Sequence, residues 1–296
     1  MKRGNIFRTI ITIIMAMTLV IVSMSLIALA EDTAPAMAKE SMTIRIGQLS
    51  SVELNDLPEG ATVSYKSSNS KVVKVSSKGA LTPKKTGKAV IKAAVTYDGK
   101  ETTLKCSVKV DPAIVAVIDG GAAKGQKVWK ALKTSSAGAR GPSNGHAKRM
   151  IDTIKKEAPK AKILSIKVTD KADRTISESG VIKALKLAKK YNASVVYYSF
   201  YGPEPSDEEY ELISELIDSG VRVVGPAGND YGKDARKLAW LTNMKGAASV
   251  GAWGNGKILA KSNKHANLYV KAGSTSAAAA RYAGMLANGK TYGVHK

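Results

Sequence analysis

Residues 115–121 read Val-Ala-Val-Ile-Asp-Gly-Gly, a short apolar run that ends on a carboxylate and two glycines. Strands that are apolar without alternation are buried on both faces, as in a parallel sheet covered by helices. Similar apolar runs follow at residues 163–168, 194–199, 221–224 and 247–251. The sequence therefore predicts an α/β domain over residues 112–296, with a mainly parallel sheet.

Helical periodicity separates these apolar runs. Apolar residues recur there at steps of three and four, the spacing of one buried helix face. The three patterns are Met150, Ile151 and Ile154; Val181, Ile182, Leu185 and Ala188; and Tyr210, Ile213, Leu216 and Ile217. In such α/β sheets, functional groups collect at the carboxyl ends of the strands.

Four polar residues occur at predicted strand ends or helix starts. Asp119 ends the first strand, and His146 follows Ser-Asn-Gly at the start of a helix pattern. Asn229 follows a later strand, and Ser276 opens the last, alanine-rich helix. Taken singly, each also fits a helix cap, a turn or a core position. Together, the order Asp, His, Ser is one of those in which a nucleophilic serine triad recurs.

With these motifs, about 176 residues of the chain, from 113 to 288, resemble the subtilase family of serine peptidases. Val115–Gly120 is similar to the family motif VAVIDTG, and His146 matches the first His of HGTHVAG. The other matches are residues 158–168 to APxAxLxxVKV, 198–202 to MSLGG, 226–229 to AAGN and 274–284 to GTSMAAPHVAG.

The resemblance implies a serine endopeptidase that cleaves peptides or proteins by acyl transfer. It implies Ser276 as nucleophile, His146 as general base and Asp119 as the group that orients the imidazole. Asn229 and the Ser276 amide would donate to the oxyanion. The implied substrate-binding residues are Ser199, Phe200, Tyr201, Gly202, Ala227 and Gly228. No metal and no other cofactor is expected.

Several positions depart from the family pattern. Ala147-Lys148 replaces the Gly-Thr after the histidine, Ser274 replaces a Gly, and Ala280-Arg281 replaces Pro-His. The segment before the serine motif is also short. These losses favour an alternative, in which the chain is a catalytically weak or inactive envelope-binding protein built on a subtilase-like scaffold.

Tyr201 stands where a Gly normally borders the substrate groove of the family. A ring that points into the groove would narrow it and restrict cleavage to small or extended residues near the scissile bond. A ring packed beneath the Pro203–Pro205 turn would be structural only.

Residues 41–110 follow a different pattern, in which apolar and polar residues alternate between turn signals. Such alternation is typical of half-buried strands and predicts a small, antiparallel all-β sandwich. Cys106 falls on the apolar phase, which predicts a buried, inert thiol. Residues 65–69, 79–82 and 86–91 resemble a bacterial Ig-like domain of group 2, a kind of module that mostly serves as a spacer or adhesive unit.

The first 30 residues have the layout of a secretory signal peptide. A charge-free apolar stretch, residues 10–29, follows three basic residues and ends at the small-residue site Ala28-Leu29-Ala30. We expect a secreted, extracellular protein whose mature chain begins at Glu31 if this site is used, and Ala36-Met37-Ala38 is a second candidate site. The same stretch is long enough, at ~20 residues, to stay as an uncleaved membrane anchor instead.

The chain is strongly basic, with a formal net charge of +22 from 46 Lys and Arg against 24 Asp and Glu. Loss of the leader removes 3 positive charges and leaves +19. This charge favours retention by anionic cell-wall polymers, although a generic lysine-rich solvated surface explains it equally well. No nucleic-acid partner is expected, because no aromatic platform accompanies the basic residues. One cysteine and 3 histidines exclude an internal disulfide and a Cys/His metal cluster.

Overall fold

The structure is a computed structural model that describes residues 34–134, 138–142, 145–169, 176–202 and 204–295. The expected leader, residues 1–30, lies outside these ranges, and so do Ser143, Asn144 and Pro203. Within these ranges, no helix is both long enough and apolar enough to cross a membrane.

Strands and loops alone make up the amino-terminal part, residues 36–111. Its strands are β1 (Ala36–Met37), β2 (Ser41–Arg45), β3 (Ser50–Ser51), β4 (Leu54–Asn55), β5 (Thr62–Ser67), β6 (Val73–Val75), β7 (Ala80–Pro83), β8 (Gly87–Tyr97) and β9 (Lys100–Asp111). One sheet has the order β2-β9-β8-β5 and a second the order β3-β7-β6, while β1 pairs with β4. We call this part the β unit.

A single core joins the two larger sheets of the β unit. Ile91 and Val108 of the first sheet and Val73 and Leu81 of the second belong to the same buried cluster. Cys106 is 1% exposed in this cluster, so the predicted buried thiol is confirmed, and burial raises its pKa. The inward-facing residues therefore form the core that the alternating pattern predicts.

The expected all-antiparallel arrangement of the β unit is wrong at one edge. Strands β2 and β9 are parallel, with Ile44 opposite Val110. Parallel neighbours need a long connection, and β2 and β9 lie far enough apart in sequence to provide it. The resemblance to an Ig-like domain of group 2 stays a prediction.

The rest of the chain alternates strands and helices. Its strands are β10 (Ile114–Asp119), β11 (Lys130–Lys133), β12 (Lys162–Lys167), β13 (Val195–Tyr198), β14 (Arg222–Pro226), β15 (Ala248–Gly254), β16 (Lys257–Ile258), β17 (Leu268–Lys271) and β18 (Val294–His295). Its helices are α1 (His146–Glu157), α2 (Glu178–Lys190), α3 (Asp207–Asp218), α4 (Ala235–Leu238) and α5 (Thr275–Ala287), with a 3-10 turn at Trp240–Thr242.

These strands form one sheet in the order β11-β12-β10-β13-β14-β15-β17-β18, with β16 paired to β15. Strands β16 and β18 pair antiparallel, and the other pairs are parallel. The predicted α/β fold with a mainly parallel sheet is therefore confirmed.

Helices cover both faces of this sheet. On one face Ile154 of α1 and Met285 of α5 share a core with Val117. On the other face Leu185 of α2 and Ile213 of α3 pack with neighbouring strands. The helix patterns are confirmed apart from Tyr210, which is 49% exposed.

The β unit contacts the edge of the sheet at which β13 and β14 begin. The Leu49 amide donates to the Gly220 carbonyl over 2.8 Å. The Ser194 hydroxyl donates to the Ile46 carbonyl over 2.8 Å. Asp119 ends its strand at the opposite edge, so these contacts lie away from the predicted site.

Candidate active site

The predicted site residues lie at the carboxyl edge of the parallel sheet or on the helices that follow it. Asp119 is the last residue of β10, and Ser199 follows β13 directly. His146 is the first residue of α1, and Ser276 is the second residue of α5. Asn229 lies in the loop after β14. Neighbouring strands and helix starts thus supply groups that are far apart in sequence.

The Asp119 carboxylate accepts three hydrogen bonds. The His146 ring donates from Nδ1 to Oδ2 over 2.7 Å, and the Ser199 hydroxyl donates to the same oxygen over 2.7 Å. The Gly120 amide donates to Oδ1 over 2.6 Å. Because an ionised carboxylate only accepts, Nδ1 of His146 carries the proton and Nε2 keeps a lone pair. Asp119 therefore presents the imidazole in the tautomer that a general base requires.

Ser199 has a role that the sequence analysis missed. We expected it to line the substrate groove, but its hydroxyl donates to Asp119 and lies 3.5 Å from His146 Nδ1. This contact follows from the sheet register. Ile118 pairs with Tyr198 on the neighbouring strand, so the next residues along the two strands, Asp119 and Ser199, lie side by side. Ser199 thus holds the carboxylate from the side of β13.

Tyr197 supports the start of α5 from below. Its side chain is fully buried, and its hydroxyl donates to the Ser276 carbonyl over 3.3 Å. Burial and the nearby Asp119 charge raise the pKa of Tyr197, so the phenol stays protonated and remains a donor. The apolar run around Tyr197 predicted a strand in the core, as observed. The sequence did not predict that the Tyr197 hydroxyl contacts the backbone of Ser276.

The Ser276 hydroxyl makes no hydrogen bond to the His146 ring within the described residues. Catalytic hydrogen bonds are often long before substrate binds and tighten in the complex. The two candidate residues stand on the first turns of α1 and α5, two helices packed against each other.

Asn229 is oriented by the backbone of α5. Its Oδ1 accepts from the Thr275 amide over 3.1 Å, and since that amide only donates, Nδ2 must point to the other side. Within the described chain, neither Nδ2 nor the Ser276 amide donates to another group. Helix amino ends attract anions because their first amides are unpaired. Two such donors at the start of α5 suit a developing oxyanion.

Thr275, the first residue of α5, carries a further hydroxyl that the sequence did not single out. Its Oγ1 is buried and has no hydrogen-bond partner, the sole side-chain atom of this kind in the part of the chain described. Buried hydroxyls are nearly always paired, and Thr275 directly precedes Ser276 in the sequence.

Asn263 holds the loop that carries Asn229. Its Nδ2 donates to the Ala227 carbonyl over 3.0 Å and to Asp230 over 2.7 Å, while its Oδ1 accepts from the Asp230 amide over 2.9 Å. Its own amide donates to the Gly228 carbonyl over 3.0 Å. Asn263 is fully buried, so these bonds fix the backbone on both sides of Asn229.

Tyr201 reaches from the segment after β13 to this same loop. Its hydroxyl accepts from the Asn229 amide at 3.5 Å and donates to Asp230 over 3.3 Å. A Cβ atom placed on Gly228 would come within 3.0 Å of the ring. Partial burial raises the pKa of Tyr201, and the Asp230 carboxylate adds to the rise. The ring therefore spans the gap between the two segments that we expected to bind substrate.

The remaining predicted substrate-binding residues differ in exposure. The Ala227 side chain is fully buried, so any contact that this residue makes with a substrate would come from its backbone. Phe200 packs edge-on against Tyr198, with ring centroids 4.7 Å apart. Among the described residues, nothing lies within 4 Å of a Cβ placed on Gly202. No three His, Cys, Asp or Glu side chains of the described residues gather into a metal-binding group.

Comparison with solved structures finds proteins that are similar to this chain in fold. A cold-adapted subtilisin-like serine proteinase superposes with a TM-score of 0.52 and 21% identity, covering 59% of this chain and 74% of that chain. A lanthipeptide protease superposes with a TM-score of 0.49 and 18% identity, covering 59% of this chain and 72% of that chain. The prenylagaramide maturation protease PagA superposes with a TM-score of 0.48 and 17% identity, covering 59% of this chain and 74% of that chain.

No family model matches the sequence, and no curated protein matches it. The superposition on the cold-adapted subtilisin-like serine proteinase shows that the α/β part has the fold of such proteinases.

Proposed function

We propose that this protein is a serine endopeptidase of the subtilisin type, with Asp119, His146 and Ser276 as its triad. The observation that carries the proposal is the 2.7 Å bond from His146 Nδ1 to Asp119, which leaves Nε2 as a base. A second support is the pair of unused donors, on Asn229 and at the Ser276 amide, beside the candidate nucleophile.

In the proposed reaction, Ser276 Oγ attacks the carbonyl carbon of the scissile bond while His146 Nε2 takes the hydroxyl proton. The carbon–nitrogen bond then breaks, and the proton passes from Nε2 to the leaving amine. Water attacks the resulting ester, His146 takes its proton, and the acid product leaves as Ser276 regains its hydrogen. Asp119 stays ionised and stabilises the imidazolium in each step.

The oxyanion of each tetrahedral intermediate would lie between Asn229 Nδ2 and the Ser276 amide. Asn229 is fixed before the reaction starts, since Thr275 binds its Oδ1 and Asn263 holds its loop. Donors that are already oriented need no rearrangement as charge develops, which is why they lower the barrier.

Tyr201 supports a proposal on the substrate class. Its ring lies against Gly228 and its hydroxyl is bonded to Asn229 and Asp230, so in the proposed binding mode it would occupy space that a large side chain next to the scissile bond needs. We therefore propose peptides with small residues at that position as substrates.

Hydrolysis of a mixed peptide library tests the proposal. S276A is expected to reduce turnover to the background rate, because it removes the nucleophile. N229A is expected to retain the nucleophile but lower kcat by ~10²–10³, the usual cost of one oxyanion donor. Turnover that survives S276A in folded protein, or the lack of any turnover in the wild-type chain, would contradict the proposal.

A non-catalytic, envelope-binding protein on the same scaffold is the second candidate. The absent Ser276–His146 hydrogen bond and the Tyr201 ring beside Asn229 favour it. This candidate predicts no Ser276-dependent turnover with any substrate. The endopeptidase predicts such turnover with peptides that carry small residues next to the scissile bond. Under either candidate we propose export by residues 1–30, subtilase ancestry for the α/β part and an Ig-like origin for the β unit.

A further inference from the structure

The outward face of the sheet β2-β9-β8-β5 carries a cluster of exposed lysines. Lys66 of β5, Lys92 of β8 and Lys105 of β9 lie directly opposite one another across three neighbouring strands. Lys88 and Lys109 form a second such pair, four residues further along β8 and β9. All five are exposed, and we call them the lysine face.

Strand geometry sets the size of this face. Neighbouring strands lie ~4.8 Å apart and rise ~3.3 Å per residue, so the backbone positions of the five lysines span an area of roughly 10 by 13 Å. Among the described residues, the one ion pair that these lysines make is from Lys109 to Asp111, at 3.0 Å. Glu101 lies at the far end of β9, opposite Thr96. The centre of the face is therefore positive without neutralisation.

Directly opposed like charges destabilise a sheet. Lysines often protect the edge strands of sheets from pairing with other chains, and this explains Lys66 on the edge strand β5. It does not explain Lys88, Lys92, Lys105 and Lys109, because β8 and β9 are the two central strands. Opposed lysines in the middle of a sheet need a different reason.

A groove lies beside the second lysine pair. It has a volume of about 550 Å³, and its lining includes Lys88 and Lys109, the hydroxyl residues Ser41, Thr43 and Ser107, and apolar residues such as Met42 and Val90. Hydroxyl and ammonium donors together suit the oxygen atoms of a phosphate group, which lysine binds as a point charge. The groove continues the positive face toward strand β2.

We propose that the lysine face and its groove bind a linear polymer of phosphate groups that carries no aromatic bases. The polymer would lie across the strands, with successive phosphates between opposed lysines, which relieves the repulsion. Single-stranded nucleic acids need aromatic side chains for their bases to stack on, and the outward positions of β5, β8 and β9 opposite and between these lysines hold none. The proposal does not rest on the proposed peptidase activity.

Binding of long-chain linear polyphosphate to the purified protein at 0.15 M salt tests this site. The variant replaces Lys66, Lys88, Lys92 and Lys105 by Gln. Its matched control replaces Lys160, Lys183, Lys190 and Lys245, four exposed lysines of the α/β part, by Gln and so has the same net charge. A lysine beside an anionic surface contributes roughly fivefold to affinity, so we expect a loss on the order of several hundredfold in the variant and about fivefold or less in the control.

A third variant with Arg at the four positions keeps the charge and should bind polyphosphate within about fivefold of the wild type. Circular dichroism and thermal unfolding report folding, and the Gln variant should be no less stable, since it loses repulsion. Equal losses in the Gln variant and its control would overturn the proposal, as would no binding by the wild type. Equal or tighter binding of oligothymidylate or polyglutamate through the same lysines would overturn the assigned chemistry.

Discussion

At the scale of single residues, the side chains of the candidate site are oriented by hydrogen bonds from their neighbours. Asp119 is held by Ser199 and Gly120, and in turn it holds His146. Asn263 does the same for the loop of Asn229. Side chains fixed in this way lose little entropy on substrate binding, which is why such arrangements favour catalysis.

Tyr201→Gly should widen the specificity of the proposed peptidase. The ring crosses the space beside Gly228, so its removal admits larger side chains next to the scissile bond. We expect kcat/KM for peptides with a large residue there to rise about tenfold or more, with little change for small residues. The same peptide library measures both. An unchanged cleavage profile in folded protein would show that Tyr201 does not shape access.

Glu209 is expected to make stability depend on pH. It is 7% exposed on α3 and accepts a hydrogen bond from Tyr198, and burial raises its pKa above the ordinary 4.5. The folded chain then binds this proton more tightly than the unfolded chain, so Glu209 lowers the free energy of unfolding as pH rises from below 4.5 through the folded pKa.

Glu209→Gln removes this titration and keeps an acceptor for Tyr198. Relative to this variant, the wild type should lose stability between pH 4 and pH 7.5, because its folded form holds the Glu209 proton more tightly than its unfolded form does. Urea unfolding at the two pH values measures the difference. A constant difference between the two proteins would contradict the raised pKa.

At the scale of elements, helices α1 and α5 set the spacing between His146 and Ser276, the proposed base and nucleophile. They approach closely at Gly284, where a Cβ atom would lie 2.7 Å from the Glu157 Cβ and 2.9 Å from the Ile154 carbonyl oxygen. Nearby, Arg281 of α5 donates from Nε to Glu157 of α1 over 2.8 Å. Arg281 therefore has a structural partner at a position where it departs from the family pattern.

Gly284→Ala should separate these helices. An Ala in a helix normally stabilises it by ~0.5–1 kcal/mol, but here the methyl group overpacks the contact and should cost about 1–3 kcal/mol. Chemical denaturation measures the change. Gly273→Ala is the control, because no described residue lies within 4 Å of a Cβ placed there. Equal stability of the two variants would show that α1 and α5 are not so tightly packed.

The sequence predicted the elements that carry strong patterns and missed those that do not. Strands β10 and β13 are apolar throughout, and their ends placed Asp119 and Ser199 correctly at one edge. Strand β11 reads Lys-Ala-Leu-Lys, which has neither alternation nor β-branched residues, so only its pairing with β12 makes it a strand. The bonds from Ser199 and Tyr197 depend on sheet register, which no local pattern contains.

At the scale of the whole molecule, the β unit and the candidate site lie at opposite edges of the α/β sheet. The turn at Gly47–Leu49 contacts Gly220, and a Cβ on Gly47 would lie 2.9 Å from Val195 at the start of β13. The β unit therefore leaves the carboxyl edge open. Its lysine face and the candidate active site are separate surfaces, and one chain can use both.

Export is expected to produce a shortened chain. If the site at Ala28-Leu29-Ala30 is used, the mature protein begins at Glu31 and carries a net charge of +19. Terminal sequencing of protein from the producing cells measures this directly. A membrane-bound chain that still begins at Met1 would contradict cleavage and would show that residues 10–29 act as an uncleaved anchor.

Labelling with a fluorophosphonate probe tests the proposed nucleophile most directly, because the probe reacts with a serine only when a base activates it. We expect the folded wild type to be labelled, S276A to lose all labelling, and S274A to keep it, since Ser274 only caps α5. Heat-denatured wild type should not react. Absence of Ser276-dependent labelling in folded protein would contradict the assignment of Asp119, His146 and Ser276 as a catalytic triad.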